Sequence, residues 1–377
     1  MTLTRVYPTG HNRFHGGIPN SFMRLKVLNE LVLNDNPPLG GSLPFWLGNF
    51  SANLERIHLG FCSFSGAFGF AQSCFQSVYR FSGAIPLTLA GCKSLEIVDF
   101  SSNDLSGSLN DAITKWTNLR YLSLARNKFD GSLPSWLFTF QAIETLDLSH
   151  NNFSGFIPDI NLKGSLLFNT RNVTVKEPLV EVTNVQPRVS VVVSDSNQLS
   201  FTYDLSSMFG IDLSNNLLHG EIPRGLFGLA GLEYLNLSYN FLNGQLPGLQ
   251  KMQSLRAIDL SHNSLSGHIP GNISSLQDLT ILNLSYNCFS GYVPQKQGYG
   301  RFPGAFAGNP DLCLESSSGI CDGRIPSNQG SYFREDKMDG PISVGIFFIS
   351  AFVSFDFGVV VLFCSARTRK YILQTKA

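Results

Sequence analysis

The chain has 377 residues, 43% hydrophobic and only 14% charged, with 27 basic and 27 acidic side chains giving a formal net charge of zero. That balance excludes the basic surface on which nucleic-acid binders rely. The sustained Leu content excludes a disordered chain even with 35 Gly and 18 Pro.

The first residues, Met1-Thr2-Leu3-Thr4-Arg5, lack the apolar run of a secretion signal. By Asn12 the chain already reads NRFHGGIP, a fragment of a pattern that recurs to Pro294. No polar cap precedes it, although the end of a stacked array needs one. The start is therefore expected to fall inside a repeat array, as in a truncated form of a longer protein, with a cytosolic start as the alternative.

The next copies are LNELVLNDN, marked by Asn36, and LERIHLGFC, which puts Cys62 at the Asn place. FSG then recurs at Phe64 and Phe81, 17 residues apart, with no LxxLxL between them. Residues 62–86 are read as degenerate, either a coil compressed by a deletion or a mispredicted stretch of sequence, with Cys74 and Cys92 flanking the region. Order returns with LEIVDFSSN, LRYLSLARN and IETLDLSHN, whose markers Asn103, Asn127 and Asn151 stand 24 residues apart.

The next marker, Asn216, lies 65 residues beyond Asn151, so the chain carries an insertion, placed at 159–208. Val173/Val175 and Val189/Val191/Val193 alternate within it, and Pro178 and Pro187 interrupt. Short strands in a folded-back island are expected. An insertion of this length in a compact array is either a binding surface or a spacer.

From Ile211 to Pro294 the repeat is at its clearest, with markers Asn216, Asn240, Asn263 and Asn287. In LEYLNLSYN, Leu235 and Leu237 alternate with Asn236, which suits a short strand with one face buried. A buried Asn after the strand can pair backbone groups of neighbouring coils. Gly244 and Pro247 bend the return path. One coil has no interior of its own, so neighbours must stack. The expected fold is an α/β-type solenoid, a superhelix with short parallel strands on its concave face, built of 1–158 and 209–294. About eleven repeats at roughly 4.8 Å give a strand-lined face on the order of 50 Å long.

Residues 295–322 are read as a cap, with Phe302 and Phe306 over the open core. Cys313 and Cys321 are the close pair that can lock it. A linker, 323–341, leads to the apolar run 342–364, long enough for one C-terminal transmembrane helix. The tail 365–377 carries Arg367, Arg369, Lys370 and Lys376, which places it in the cytosol and is too short for a kinase.

No feature supports catalysis. Asp356-Phe357-Gly358 spells a kinase triplet inside the apolar run, without its partner motifs. His15, His58, His150, His219, His262 and His268 lack metal-ligand spacing, and no cofactor or metal is expected. Binding is expected on the strand-lined face, where outward residues form a mixed row of charges and hydroxyls. The candidates are Arg120, Ser123, Arg126, Glu144, Asp147, His150, Asp212, Glu233, Asn236, Arg256 and Asp259, suited to an extended peptide. Six N-x-[ST] triplets, at Asn49, Asn152, Asn172, Asn236, Asn272 and Asn283, point to glycosylation and an oxidising side. LNLS also arises as repeat chemistry, so Asn236 and Asn283 have two readings.

The L-x-G-x-I-P repeats resemble the plant extracellular leucine-rich-repeat class. The island, the cap FPGAFAGNPDLC, the apolar run and the ending VVLFCSARTRKYILQTKA resemble plant receptor-like proteins that lack a kinase. That resemblance implies a plasma-membrane receptor component for small secreted CLE-type peptides. It would act through a membrane-bound kinase-like partner in meristem maintenance. An immune receptor-like protein reading a microbial elicitor would share the fold. A wall-enzyme inhibitor would need no span, and a non-functional truncated product is the remaining reading.

Overall fold

The computed structural model describes residues 5–6, 16–34, 36, 39–50, 53–60, 81–159, 188–194, 197–202, 209–293 and 301–314. Each LxxLxL segment forms a three-residue strand because its two inner Leu-type side chains share one face. Leu235 and Leu237 are both fully buried around strand Tyr234–Asn236. These strands stack in parallel into a ten-stranded sheet that runs from Arg5–Val6 to Ile281–Asn283.

A second ten-stranded parallel sheet runs alongside, from Gly41–Ser42 to Asp311–Leu314. It is built from the residues that follow each marker Asn, such as Phe241–Gln245. Sequence reading had taken those residues only as a bent return path. Short 3-10 helices such as Ser135–Thr139 complete several coils. Between the sheets lies one continuous core of Leu, Ile and Phe, with Trp46 and Trp116 filling its largest places. Phe129 and Phe153 stack at 6.2 Å between adjacent coils. Each such buried side chain contributes about 2 kcal/mol.

The marker residues do what the spacing suggested. Asn240 donates to the carbonyls of Leu213, Leu237 and Ser238 at 3.0, 3.1 and 3.2 Å, and its oxygen accepts from the N–H of Leu218 at 3.1 Å. Asn103, Asn127, Asn151, Asn216, Asn263 and Asn287 repeat the arrangement. The residue just before each of these Asn adopts a left-handed backbone although none is Gly: φ is 55° at Arg126 and 53° at Tyr239. This turn ends the strand.

Residues 61–80 lie outside the described residues, and the strands on either side are described. Strand Arg56–His58 pairs directly with Ile97–Asp99 in one sheet, and Phe81–Gly83 pairs with Asp104–Gly107 in the other. The second FSG thus supplies a strand of the second sheet. The first FSG, Cys62 and Cys74 lie outside the described residues.

The solenoid also closes across the long insertion. Thr145, Leu146 and Asp147 pair in register with Gly210, Ile211 and Asp212. Within the insertion, Arg188–Ser194 and Asn197–Thr202 form an antiparallel hairpin, in line with the expected short strands. Val173/Val175 lies outside the described residues.

At the other end, Phe302, Ala305 and Phe306 are buried in the core. Asn309 copies the marker role, donating to Leu284 O at 3.0 Å and accepting from Phe289 N–H at 3.0 Å. The cap is thus a last coil in which Ala307-Gly308-Asn309 replaces Ser285-Tyr286-Asn287. Cys313 is disulfide-bonded; Cys321 lies outside the described residues, as do the linker 323–341, the apolar run 342–364 and the tail. Among the described residues no helix is long and apolar enough to cross a membrane.

Candidate ligand-binding face

Four rows of side chains point outward from the first sheet and its flanks. An entry row contains Glu96, Arg120, Glu144, Glu233 and Arg256. A second row contains Tyr121, Thr145 and Tyr234, and a third contains Asp99, Ser123, Asp147, Asp212, Asn236, Asp259 and Asn283. An exit row contains Arg126, His150, Asn215, Tyr239, His262 and Tyr286. In-register pairing of the strands fixes these rows.

The third row is buried. Ser123, Asp147, Asp212, Asn236 and Asp259 are each at most 5% exposed. Their side chains are held in a ladder of hydrogen bonds. Asp212 accepts from the Ser214 hydroxyl at 2.6 Å, the Tyr234 hydroxyl at 3.0 Å and the Asn236 amide at 3.2 Å. Asp259 accepts from Ser261 at 2.6 Å and from the Asn283 amide at 3.2 Å. These five residues support the face rather than offer contacts. Burial drives the Asp147 carboxyl up to about 7, helped by the adjacent Asp212, and Asp259 up to about 6.

The entry and exit rows remain partly or fully exposed, and they hold the other six candidates. Arg120 makes a two-pronged ion pair with Glu144, at 2.8 and 3.1 Å, and Arg256 lies 3.6 Å from Glu233. The Asn215 amide donates to His150 Nδ1 at 2.6 Å, joining the coils on either side of the insertion. Burial, then the charge of Arg126, lowers His150 to about 4. Arg126 itself is exposed. Among the described residues no group of His, Cys, Asp and Glu could hold a metal ion.

Sequence reading missed an aromatic stack in the exit row. His262 lies between Tyr239 and Tyr286, with ring centroids 4.1 and 4.4 Å away. Tyr239 and Phe241 are 55% and 60% exposed. The signal was present at the position before each marker Asn, which reads S-R-H-N-Y-H-Y along the array.

The sequons also separate. Asn49 and Asn152 are exposed. The Asn272 amide donates to the Gln250 side chain, and Asn172 lies outside the described residues. Asn236 and Asn283 have the surroundings of repeat chemistry. Both are buried, both amide nitrogens donate to an Asp, and both oxygens accept from the next Ser.

The Leucine Rich Repeat family matches residues 118–140, 142–162, 231–252 and 254–276. The chain is 53% identical over 194 residues to the receptor-like protein CLAVATA2 of Arabidopsis thaliana, covering 51% of this chain and 27% of that protein. It is 48% identical over 185 residues to the leucine-rich-repeat receptor-like protein FASCIATED EAR2 of Zea mays, covering 47% of this chain and 29% of that protein. The matched stretches thus span less than a third of either relative. Among solved structures, the ectodomain of the Arabidopsis thaliana receptor kinase GASSHO1/SCHENGEN3 in complex with CASPARIAN STRIP INTEGRITY FACTOR 2 superposes with a TM-score of 0.54. It is 27% identical, covering 80% of this chain and 32% of that one.

Proposed function

We propose that this chain, a leucine-rich-repeat protein similar to plant receptor-like proteins, is a kinase-less cell-surface receptor or co-receptor. In this reading it reads a small secreted peptide of the CLE type and signals through a membrane-bound kinase-like partner in meristem maintenance. The observation that carries the reading is the 53% identity to a plant receptor-like protein over 194 residues. The unbroken first sheet adds to it, since an extended ligand can cross several coils there.

The complex of the GASSHO1/SCHENGEN3 ectodomain supports ligand recognition on such a solenoid. In this chain the contact residues would be those of the two accessible rows: Arg120, Glu144, Glu233 and Arg256 at entry, Arg126 and His150 at exit. Their mixed charges suit a peptide carrying both signs, and partial exposure gives each ion more energy than a fully solvated one. The island 159–208 would help ligand or partner binding. Residues 342–364 would be the span through which the partner is met, with 365–377 in the cytosol.

The test is a membrane pull-down with the kinase-like partner, comparing the whole chain with one lacking residues 342–377. Loss of the partner on deletion fits the reading. Undiminished recovery would place the contact in the repeats.

A further inference from the structure

The third outward row of the first sheet obeys a rule with one break. Wherever the strands are in register, an acid is followed or preceded by a neutral donor. Ser123 reaches Asp147 at 3.5 Å, the Asn236 amide donates to Asp212, and the Asn283 amide donates to Asp259. At one joint the rule fails. Asp147 and Asp212 are register partners on adjacent strands, with no neutral residue between them. Neighbouring strands are roughly 4.8 Å apart, and two ionised carboxylates at that spacing repel. This joint is also the place where the long insertion leaves and re-enters the solenoid.

We propose that Asp147 and Asp212 act as a proton-shared pair that makes this joint a pH-sensitive seam, closed when one proton is held between them and loosened when both acids ionise. The step is a single proton exchanged with solvent, with no bond made or broken elsewhere.

Among the described residues no cation compensates the pair. On its own strand and the next, Asp147 and Asp212 each accept from a Ser two residues on, at 2.7 and 2.6 Å. From the preceding strands Ser123 and Asp99 face the pair, and from the following ones Tyr234, Asn236 and Asp259. Arg120 is engaged by Glu144 in the entry row. Arg126 and His150 stand in the exit row, and the burial of His150 holds it neutral near neutral pH. Burial raises both carboxyls, and the charge of Asp212 raises Asp147 further.

Hydrogen exchange on the whole chain tests this, read as protection corrected for intrinsic rates. Peptides covering Thr145–Asp147 and Gly210–Asp212 should lose about tenfold protection between pH 5 and pH 7.5, the factor that one unit of coupling is worth. Peptides covering Tyr234–Asn236, where an Asn separates two acids, should change much less. Asp147→Asn should remove the drop, because the row already carries Asn at two places. Asp212→Asn provides a second variant should the first fold poorly. The same drop at both joints, or a drop that survives either variant, would overturn the proposal.

Discussion

The side-chain amide of Asn216 donates to the carbonyl of Leu148, 68 residues earlier in the chain, at 3.0 Å. Its oxygen accepts from the N–H of Phe153 at 3.0 Å. One side chain thus joins the coil before the insertion to the coil after it. Asn216→Ala leaves these buried backbone groups unpaired, which costs on the order of 2–4 kcal/mol. Thermal unfolding should show this as a lower midpoint. Asn263→Ala, at a joint without an insertion, should cost about the same, which a comparison of the two midpoints checks.

Glycan attachment should follow exposure. In a eukaryotic secretory host, Asn152→Gln should remove one glycan and its increment of mobility on a gel. Asn236→Gln should leave mobility unchanged while lowering stability, because the Asn236 amide is committed to Asp212 and its oxygen to Ser238. A mobility shift from Asn236→Gln would show that Asn236 carries a glycan and is not held in the buried ladder.

The Arg120–Glu144 pair, with side chains 12% and 19% exposed, is shielded enough for its two-pronged geometry to count. A double-mutant cycle with Arg120→Ala and Glu144→Ala should give a coupling of about 1 kcal/mol, measured by denaturant unfolding. The Lys128–Asp104 pair has its lysine 63% exposed and should give markedly less.

Acid should weaken the first half of the array through its histidines. Burial and Arg56 push His58 down to about 4 from its ordinary 6.5, and burial and Arg126 do the same to His150. A base whose folded value is depressed binds fewer protons in the folded state. Its share of stability is therefore present above pH 6.5 and lost as pH falls towards 4. For His58 this amounts to on the order of 2 kcal/mol. His58→Leu should flatten that limb of the stability curve. Asp147 acts with the opposite sign, its share being lost as pH rises from about 4 to 7, so the variant separates the two.

The sequence made the coil legible because its period is strict. Leu at fixed spacing has to face inward, and Asn at the turn has to find buried carbonyls. The second sheet was hidden because residues such as Phe241 and Asn243 alternate with Leu242 over only a short run after the Asn. The stretch 62–86 was hard to read because a repeated FSG looks like a repeated coil, whereas the strands on either side, Arg56–His58 and Ile97–Asp99, pair directly. Exposure was the least legible property. Asp147, Asp212 and Asp259 look like surface charges in the sequence, yet the stacking of neighbouring coils places a Ser or Asn hydroxyl or amide against each. The accessible rows lie on either side of them, at positions that vary most from coil to coil.

The most direct measurement is photo-crosslinking of a CLE-type peptide to the whole chain, with the sites mapped by mass spectrometry. The account predicts saturable labelling of the entry and exit rows, around Arg120, Arg126, Glu233 and Arg256, and its loss in Arg120→Glu with Arg256→Glu when the fold is intact by circular dichroism. Labelling confined to the opposite surface, or undiminished in the charge-reversed chain, would contradict it.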